Sequence, residues 1–165
     1  MVQRPKLVLP LRSLDKIVEG VCVFMLVSAW ILATYYWPRV PAEIPVHFNI
    51  FGEADAYGQK SMIFLLPIVC TALYVLLTIV NQFPHAFNYP VPITQANVEY
   101  QYRLATRMIR ILKMLLIGIF AVGFVITSQT ALGRNVVGLK LVILIFMAGI
   151  VGVLSYTVFA SQRRR

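Results

Sequence analysis

The sequence is poor in charged residues, and poorest in acidic ones. Only 13% of its 165 residues are charged, against about a quarter in soluble domains, and 6 Asp and Glu face 15 Lys and Arg. Hydrophobic residues make up 59% of the chain, and the mean hydropathy is +0.78. These values exclude a water-soluble domain of ordinary composition and indicate a bilayer as the environment.

Residue types that form disulfides or bind metals are also scarce. The two cysteines, Cys22 and Cys70, lie in apolar runs, where a thiol behaves as a small hydrophobic side chain. No disulfide framework is expected. The two histidines, His47 and His85, stand on either side of a long apolar run, so they are not expected to meet in one site.

Four apolar runs are each long enough to cross about 30 Å of hydrocarbon, which takes roughly 20 helical residues. We place the spans at residues 17–36, 61–80, 111–132 and 136–160. The predicted fold class is all-α, a four-transmembrane-helix bundle that forms one integral membrane domain over residues 1–165. The first span is expected to remain as an anchor, since no small-residue cleavage site follows it.

The basic residues predict the orientation of this bundle. Eleven of the 15 Lys and Arg fall on one side of the four spans, in three clusters that abut apolar runs: Arg4/Lys6/Arg12/Lys16, Arg103/Arg107/Arg110/Lys113 and Arg163/Arg164/Arg165. Because Lys and Arg are enriched in cytoplasmic loops, both termini are predicted to be cytoplasmic. The loop at 38–60 is then extracytoplasmic, and residues 81–110 form a cytoplasmic connector and basic helix.

The basic helix is expected to run on into the third span and to meet the membrane surface. Arg103, Arg107 and Arg110 recur at helical spacing, which favours contact with lipid phosphates over nucleic acid. Lys113 is expected to snorkel from the edge of the third span, and Glu19 lies near the cytoplasmic end of the first. Few ionisable groups lie deeper, so an ion-coupled transporter is disfavoured. Small residues at four-residue spacing predict close helix contacts at Ala29/Ala33 and Ala148/Gly152.

Most of the remaining polar chemistry lies in one loop, "PAEIPVHFNIFGEADAYGQK", residues 41–60. Apolar and polar residues alternate from Val46 onward, which predicts a short extended run with one face on the helix ends. Gly52 and Gly58 are expected to allow turns with positive φ. The remaining polar residues can converge over the bundle, either as a structural cluster or as a binding site: His47, Asn49, Glu53, Asp55 and Lys60.

Several functional interpretations of this loop remain open. A divalent metal could be held by His47, Glu53 and Asp55, which would allow a membrane-embedded metal-dependent enzyme. His47 beside the two carboxylates could also sense pH. A passive transporter or scaffold subunit is a further alternative, because nothing in the sequence excludes a homo-oligomer. No catalytic nucleophile is evident, because the loop contains no Ser, Thr or Cys before Ser61.

The stretch "IPVHFNIFGEADAYGQK" resembles the hallmark of the DUF1648 family of small bacterial membrane proteins. The resemblance spans roughly Trp30 to Lys113. It implies a multi-pass protein of the bacterial inner membrane, related to SdpI-like immunity proteins, without a cofactor. It further implies a non-enzymatic immunity or signalling role, in which a secreted peptide or membrane protein binds the motif residues: His47, Asn49, Gly52, Glu53, Asp55, Tyr57 and Lys60.

Overall fold

In a computed structural model, four helices dominate the part of the chain that is described, residues 4–49 and 51–163. They are α1 (Ser13–Tyr36), α2 (Leu65–Val80), α3 (Val98–Ala131) and α4 (Val137–Gln162). Short 3₁₀ turns at Lys60–Phe64 and Pro84–Ala86 flank α2. Each long helix, α2 together with the turn before it, is long and apolar enough to cross a membrane. The predicted four-span helical bundle is thereby confirmed. Arg164 and Arg165 of the third basic cluster lie outside the described residues.

The central helix of the bundle is α3, which packs against all three other helices. It has 34 residues and begins well before its apolar run, so the predicted basic helix and the third span are one continuous helix. No Pro interrupts residues 98–131, and Pro92 lies before the helix begins. The basic first turns of α3 lie beside the start of α1 and the end of α4.

The interior contains two apolar clusters along α3. One lies beneath the loop at 41–60 and contains Ala33, Ile44, Ile63 and Phe124, among others. The other contains Cys22, Cys70 and Ile117, so both thiols are packing residues, as expected. Many large apolar side chains remain exposed on the outer faces of the helices, as a lipid environment requires.

The small residues predicted to bring helices together divide into two groups. Ala29 and Ala33 are buried, whereas Ala148 and Gly152 are exposed on the outer face of α4. The close contact between α3 and α4 is made instead at Gly118, where an added Cβ would lie 2.7 Å from the Phe146 ring. The prediction is confirmed for α1 and is wrong for α4 within one copy of the chain.

Lys113 does not snorkel, and this expectation is wrong. Its side chain is 1% exposed, and its Nζ donates hydrogen bonds to both carboxylate oxygens of Glu19, at 2.9 and 2.8 Å, and to Thr78 Oγ1 at 2.8 Å. The Nζ also lies 4.4 Å from the centre of the Tyr74 ring. All three ammonium donors are satisfied, so this ion pair joins α1, α2 and α3 inside the bundle.

The arginines of the basic helix also have partners within the chain. Arg107 Nε lies 3.1 Å from Asp15 Oδ1, and Arg110 Nε lies 3.6 Å from Glu19 Oε1. Arg103 pairs with Glu99 one turn earlier on the same helix, at 2.8 Å. Contact of Arg103, Arg107 and Arg110 with lipid phosphates stays a prediction.

The connector between α2 and α3 is held against the bundle by aromatic stacking. The Tyr89 ring stacks on Tyr102, with centroids 5.6 Å apart, and the Arg4 guanidinium lies 5.5 Å from the centre of the Tyr89 ring. The Tyr89 hydroxyl donates to the Pro84 carbonyl at 2.8 Å, and burial raises the pKa of this phenol. This stack fixes the segment before α1 beside the start of α3.

Candidate functional site: the motif hairpin and the groove beneath it

The motif loop folds as a β-hairpin between α1 and α2. Strand β1 (Glu43–Phe48) pairs antiparallel with β2 (Ala54–Gln59), with register irregularities around His47. The alternation predicted from Val46 onward therefore belongs to a real strand, although that strand begins earlier, at Glu43. Ile50, the last apolar residue of that alternation, lies outside the described residues.

The hairpin turn depends on Asn49 and Gly52. The Asn49 Oδ1 accepts hydrogen bonds from the backbone N–H groups of Phe51 and Glu53, each at 2.9 Å. Gly52 has a φ of +73°, as predicted, which residues with a Cβ rarely adopt. Gly58 differs from its prediction, because it lies within β2 without a positive φ. An added Cβ there would lie 3.0 Å from Val46 Cγ1, so Gly58 allows close packing of the two strands.

The predicted polar cluster forms two separate pairs. His47 Nδ1 lies 2.6 Å from Asp55 Oδ1, and Asn49 Nδ2 donates to Glu53 Oε2 at 3.1 Å. Lys60 does not sit against a loop carboxylate; its Nζ lies 4.7 Å from the centre of the Trp37 ring. The hairpin is therefore held by two local pairs and tied to the end of α1 by a cation–π contact.

The structure does not bring the predicted metal ligands together. Within residues 4–49 and 51–163, no three His, Cys, Asp or Glu side chains lie close enough to hold a metal ion. Glu53 faces Asn49 within the turn, while His47 and Asp55 face each other across the two strands. A three-ligand site at His47, Glu53 and Asp55 is not assembled in this arrangement.

The hairpin is buried at Ile44 and Pro45 of β1 and exposed along the middle of β2. Ile44 and Pro45 of β1 are fully buried, and Ile44 packs in the cluster with Ile63 and Phe124. In β2, Asp55, Ala56 and Tyr57 are all exposed. Strand β1 thus anchors the hairpin, and β2 presents an outer surface and an edge that lacks a third strand in the described part of the chain.

A groove of about 680 Å³ lies between the hairpin and the helices. Its lining is almost wholly apolar, with two polar exceptions, Asn49 and Thr127. The hairpin contributes Val46, Phe48, Asn49 and Gly52, and the helices contribute Leu66, Gly123, Ile126, Thr127, Ile143, Leu144 and Met147. An open apolar groove with few polar groups suits an apolar ligand, and its described lining includes no His, Cys, Lys, Asp or Glu.

Of the predicted motif residues, Asn49 and Gly52 line this groove, whereas His47, Glu53 and Asp55 do not, and the helix side was missed. Gly123 and Thr127 share one face of α3 by their four-residue spacing, which is a signal, but it does not show that α4 and the hairpin border the same space. Tyr57 lies on the exposed strand, and the Lys60 side chain lies against Trp37 at the end of α1. Neither residue lines the groove. The binding role of the motif residues stays a prediction.

Exchange of Asn49 for alanine is expected to loosen the hairpin turn. The change removes two acceptor contacts to turn amides, each of about 1 kcal/mol, so exchange of the Phe51 and Glu53 amide hydrogens should accelerate about tenfold. Hydrogen exchange with mass spectrometry measures this directly, and Tyr57→Phe, at an exposed position of β2, serves as the control. Unchanged protection of residues 49–53 in the Asn49 variant would contradict the assigned role.

Comparisons with known proteins agree with the motif. Residues 24–71 match the model of the family described as domain of unknown function DUF1648. This confirms the predicted resemblance from Trp30 in α1 through the hairpin to the start of α2; the remainder, up to Lys113, stays a prediction. An uncharacterized protein of Archaeoglobus fulgidus is 24% identical over 89 residues, 49% of this chain and 49% of that protein. The chain thus matches about half the length of this curated relative. No solved structure matches.

Proposed function

We propose that this chain is a non-enzymatic membrane receptor that binds an apolar peptide segment in the groove beneath the motif hairpin. In this proposal the hairpin is extracytoplasmic, both termini are cytoplasmic, and the membrane is the bacterial inner membrane implied by the resemblance. The partner is a secreted peptide or the exposed segment of a membrane protein. Such binding would serve immunity or signalling of the kind associated with SdpI-like proteins.

The observation that supports this proposal is the groove itself. Its volume of about 680 Å³ lies in the range of ligand sites, and its walls come from the hairpin and three helices. Asn49, which orders the hairpin turn, also lines the groove, so occupancy of the groove and the shape of the motif are coupled.

A peptide suits this site better than a simple acyl chain. Asn49 retains one Nδ2–H beyond its contact with Glu53, and Thr127 carries a hydroxyl, so a peptide backbone can hydrogen-bond to both in an otherwise apolar lining. The metal-dependent enzyme is not advanced as a function, because its ligand set is not assembled.

Filling the groove is expected to abolish peptide binding. An added Cβ at Gly123 meets only Leu66 Cδ1, at 4.0 Å, so a leucine there extends into the groove with little strain. The probe is a panel of fluorescent 12-residue peptides with Lys at both ends and either an apolar or a polar centre. With the intact chain in lipid nanodiscs, the apolar peptides should bind at least tenfold more tightly than to empty nanodiscs. Gly123→Leu should remove this difference.

The matched control is Gly152→Leu on the outer face of α4. An added Cβ there meets no atom within 4 Å, and Gly152 does not line the groove. This variant should bind the peptides within twofold of the wild type. Equal binding to empty nanodiscs, or equal loss in both leucine variants, would refute the proposal.

A further inference from the structure

A second groove lies at the end of the bundle opposite the hairpin. It runs between the segment before α1, the first turns of α3 and the last turn of α4. One part encloses about 540 Å³ and the adjoining part about 340 Å³, and the two share Tyr100 and Tyr156. We name this surface the basic groove, because four arginines border it: Arg12, Arg103, Arg107 and Arg163.

The basic groove carries a strong excess of positive charge. Among its described lining residues, Glu99 is the one carboxylate, and it already pairs with Arg103 Nε at 2.8 Å. Arg107 also uses its Nε, toward Asp15 at 3.1 Å. Because a guanidinium has five N–H donors in a planar fork, both arginines retain donors for a second acceptor. The chemistry that satisfies several guanidinium groups in one groove is a phosphate.

The position and the walls of the basic groove identify the source of that phosphate. Arg12 directly precedes α1, Arg103 and Arg107 lie before the apolar run of α3, and Arg163 follows α4, so all four stand at one boundary of the predicted hydrocarbon layer. Leu104 and Phe159 add apolar wall, and exposed Tyr156 lies where both parts of the groove meet. A free phosphate would contact only the arginines, whereas a phospholipid would contact both the arginines and the apolar walls.

We propose that the basic groove binds one anionic phospholipid from the leaflet at this end of the bundle. The guanidinium groups of Arg12 and Arg103 hold the phosphate, and the glycerol and one acyl chain follow Tyr156 and Phe159 along α4. The arginines of this site differ from those of the predicted lipid contact. Arg110 turns inward to Glu19 and does not line the groove, and Arg12 and Arg163 are added.

Native mass spectrometry of the intact chain tests this assignment. The protein is released from micelles that contain phosphatidylglycerol or phosphatidylcholine with identical acyl chains. The wild type should retain one phosphatidylglycerol with at least tenfold preference over phosphatidylcholine. Arg12→Gln/Arg103→Gln should lose this preference about tenfold.

The matched control removes the same charge outside the groove. Lys6 and Lys16 are exposed at the same end of the bundle, and Lys6→Gln/Lys16→Gln should keep the preference within twofold. Arg12→Gln alone should lose part of the preference, which provides the readout if the double variant does not fold. Equal retention of both lipids by the wild type, or equal loss in both double variants, would overturn the proposal. Displacement of the lipid by millimolar glycerol phosphate would instead show a free-phosphate site and would overturn it as well.

Discussion

Replacement of Lys113 by methionine is expected to lower the free energy of unfolding by about 3–5 kcal/mol, which corresponds to a fall in Tm on the order of 10 °C. Methionine nearly matches the volume of lysine but removes the ammonium group that bonds Glu19 and Thr78. The Glu19 carboxylate then keeps Arg110 Nε at 3.6 Å as its nearest cation, which compensates only in part. Most of this loss of stability comes from the Glu19 carboxylate, which is left in the bundle without its ammonium partner.

The two native cysteines allow this loss of stability to be measured. Cys22 and Cys70 are both buried and the chain has no others, so a thiol-reactive dye reports unfolding of the intact protein in detergent without added labels. Glu19→Gln/Lys113→Met should recover most of the lost stability, because the carboxylate is removed together with the ammonium group and Arg110 keeps Asp15 Oδ1 at 3.9 Å. Lys16→Met, at an exposed position on α1, should change stability by less than about 0.5 kcal/mol. A Lys113→Met protein as stable as the wild type would show that the ion pair is not buried as described.

The position of Lys113 shows where reasoning from the sequence failed. At the edge of an apolar run, a lysine is expected to reach the headgroups, and the composition of α3 alone supports that expectation. The deciding signal lies on the partner helix. Asp15, Glu19 and Cys22 recur at i, i+4 and i+7 on α1, which places two carboxylates on the face that meets α3. Complementary charge on two spans predicts an internal pair only when both helices are known to be neighbours.

The overall architecture was predictable because it depends on length and hydropathy, which are local properties of the chain. The spans at 17–36, 61–80, 111–132 and 136–160 agree with the helices, apart from their polar extensions at Ser13–Lys16 and Val98–Arg110. Packing between helices was not predictable in the same way. Ala148 and Gly152 have the right spacing but face outward, because the rotation of α4 about its axis is set by contacts that no local pattern contains.

In the candidate site, too, local features could be predicted and contacts between distant residues could not. Asn49 and Gly52 could be identified from the sequence, because turn chemistry is local to a few residues. The metal prediction assumed that residues at 47, 53 and 55 converge, whereas in the structure they fall into two separate pairs. The groove could not be predicted at all, since residues far apart in the sequence, such as Phe48 and Met147, border it.

Leucine substitutions at three glycines of the bundle distinguish effects on stability from effects on peptide binding. Gly118→Leu has the second large expected effect. A Cβ at Gly118 would lie 2.7 Å from two atoms of the Phe146 ring, so a leucine must displace that ring from its contact with α3. We expect a loss of roughly 2–3 kcal/mol in the free energy of unfolding, measured by the same thiol-reactive dye. Gly118→Leu/Phe146→Ala should regain part of this loss, since the second change vacates the space that the leucine needs.

The other two glycines determine how that result is interpreted. Gly123→Leu enters the open groove and Gly152→Leu enters the lipid face, so neither should lose stability, and each can gain from the higher helix propensity of leucine. Only the Gly118 variant should unfold early, and only the Gly123 variant should lose the peptide while remaining folded. If all three lost stability equally, the cause would be the added apolar bulk in any helix. The contact between Gly118 and Phe146 would then not be what holds α4 against α3.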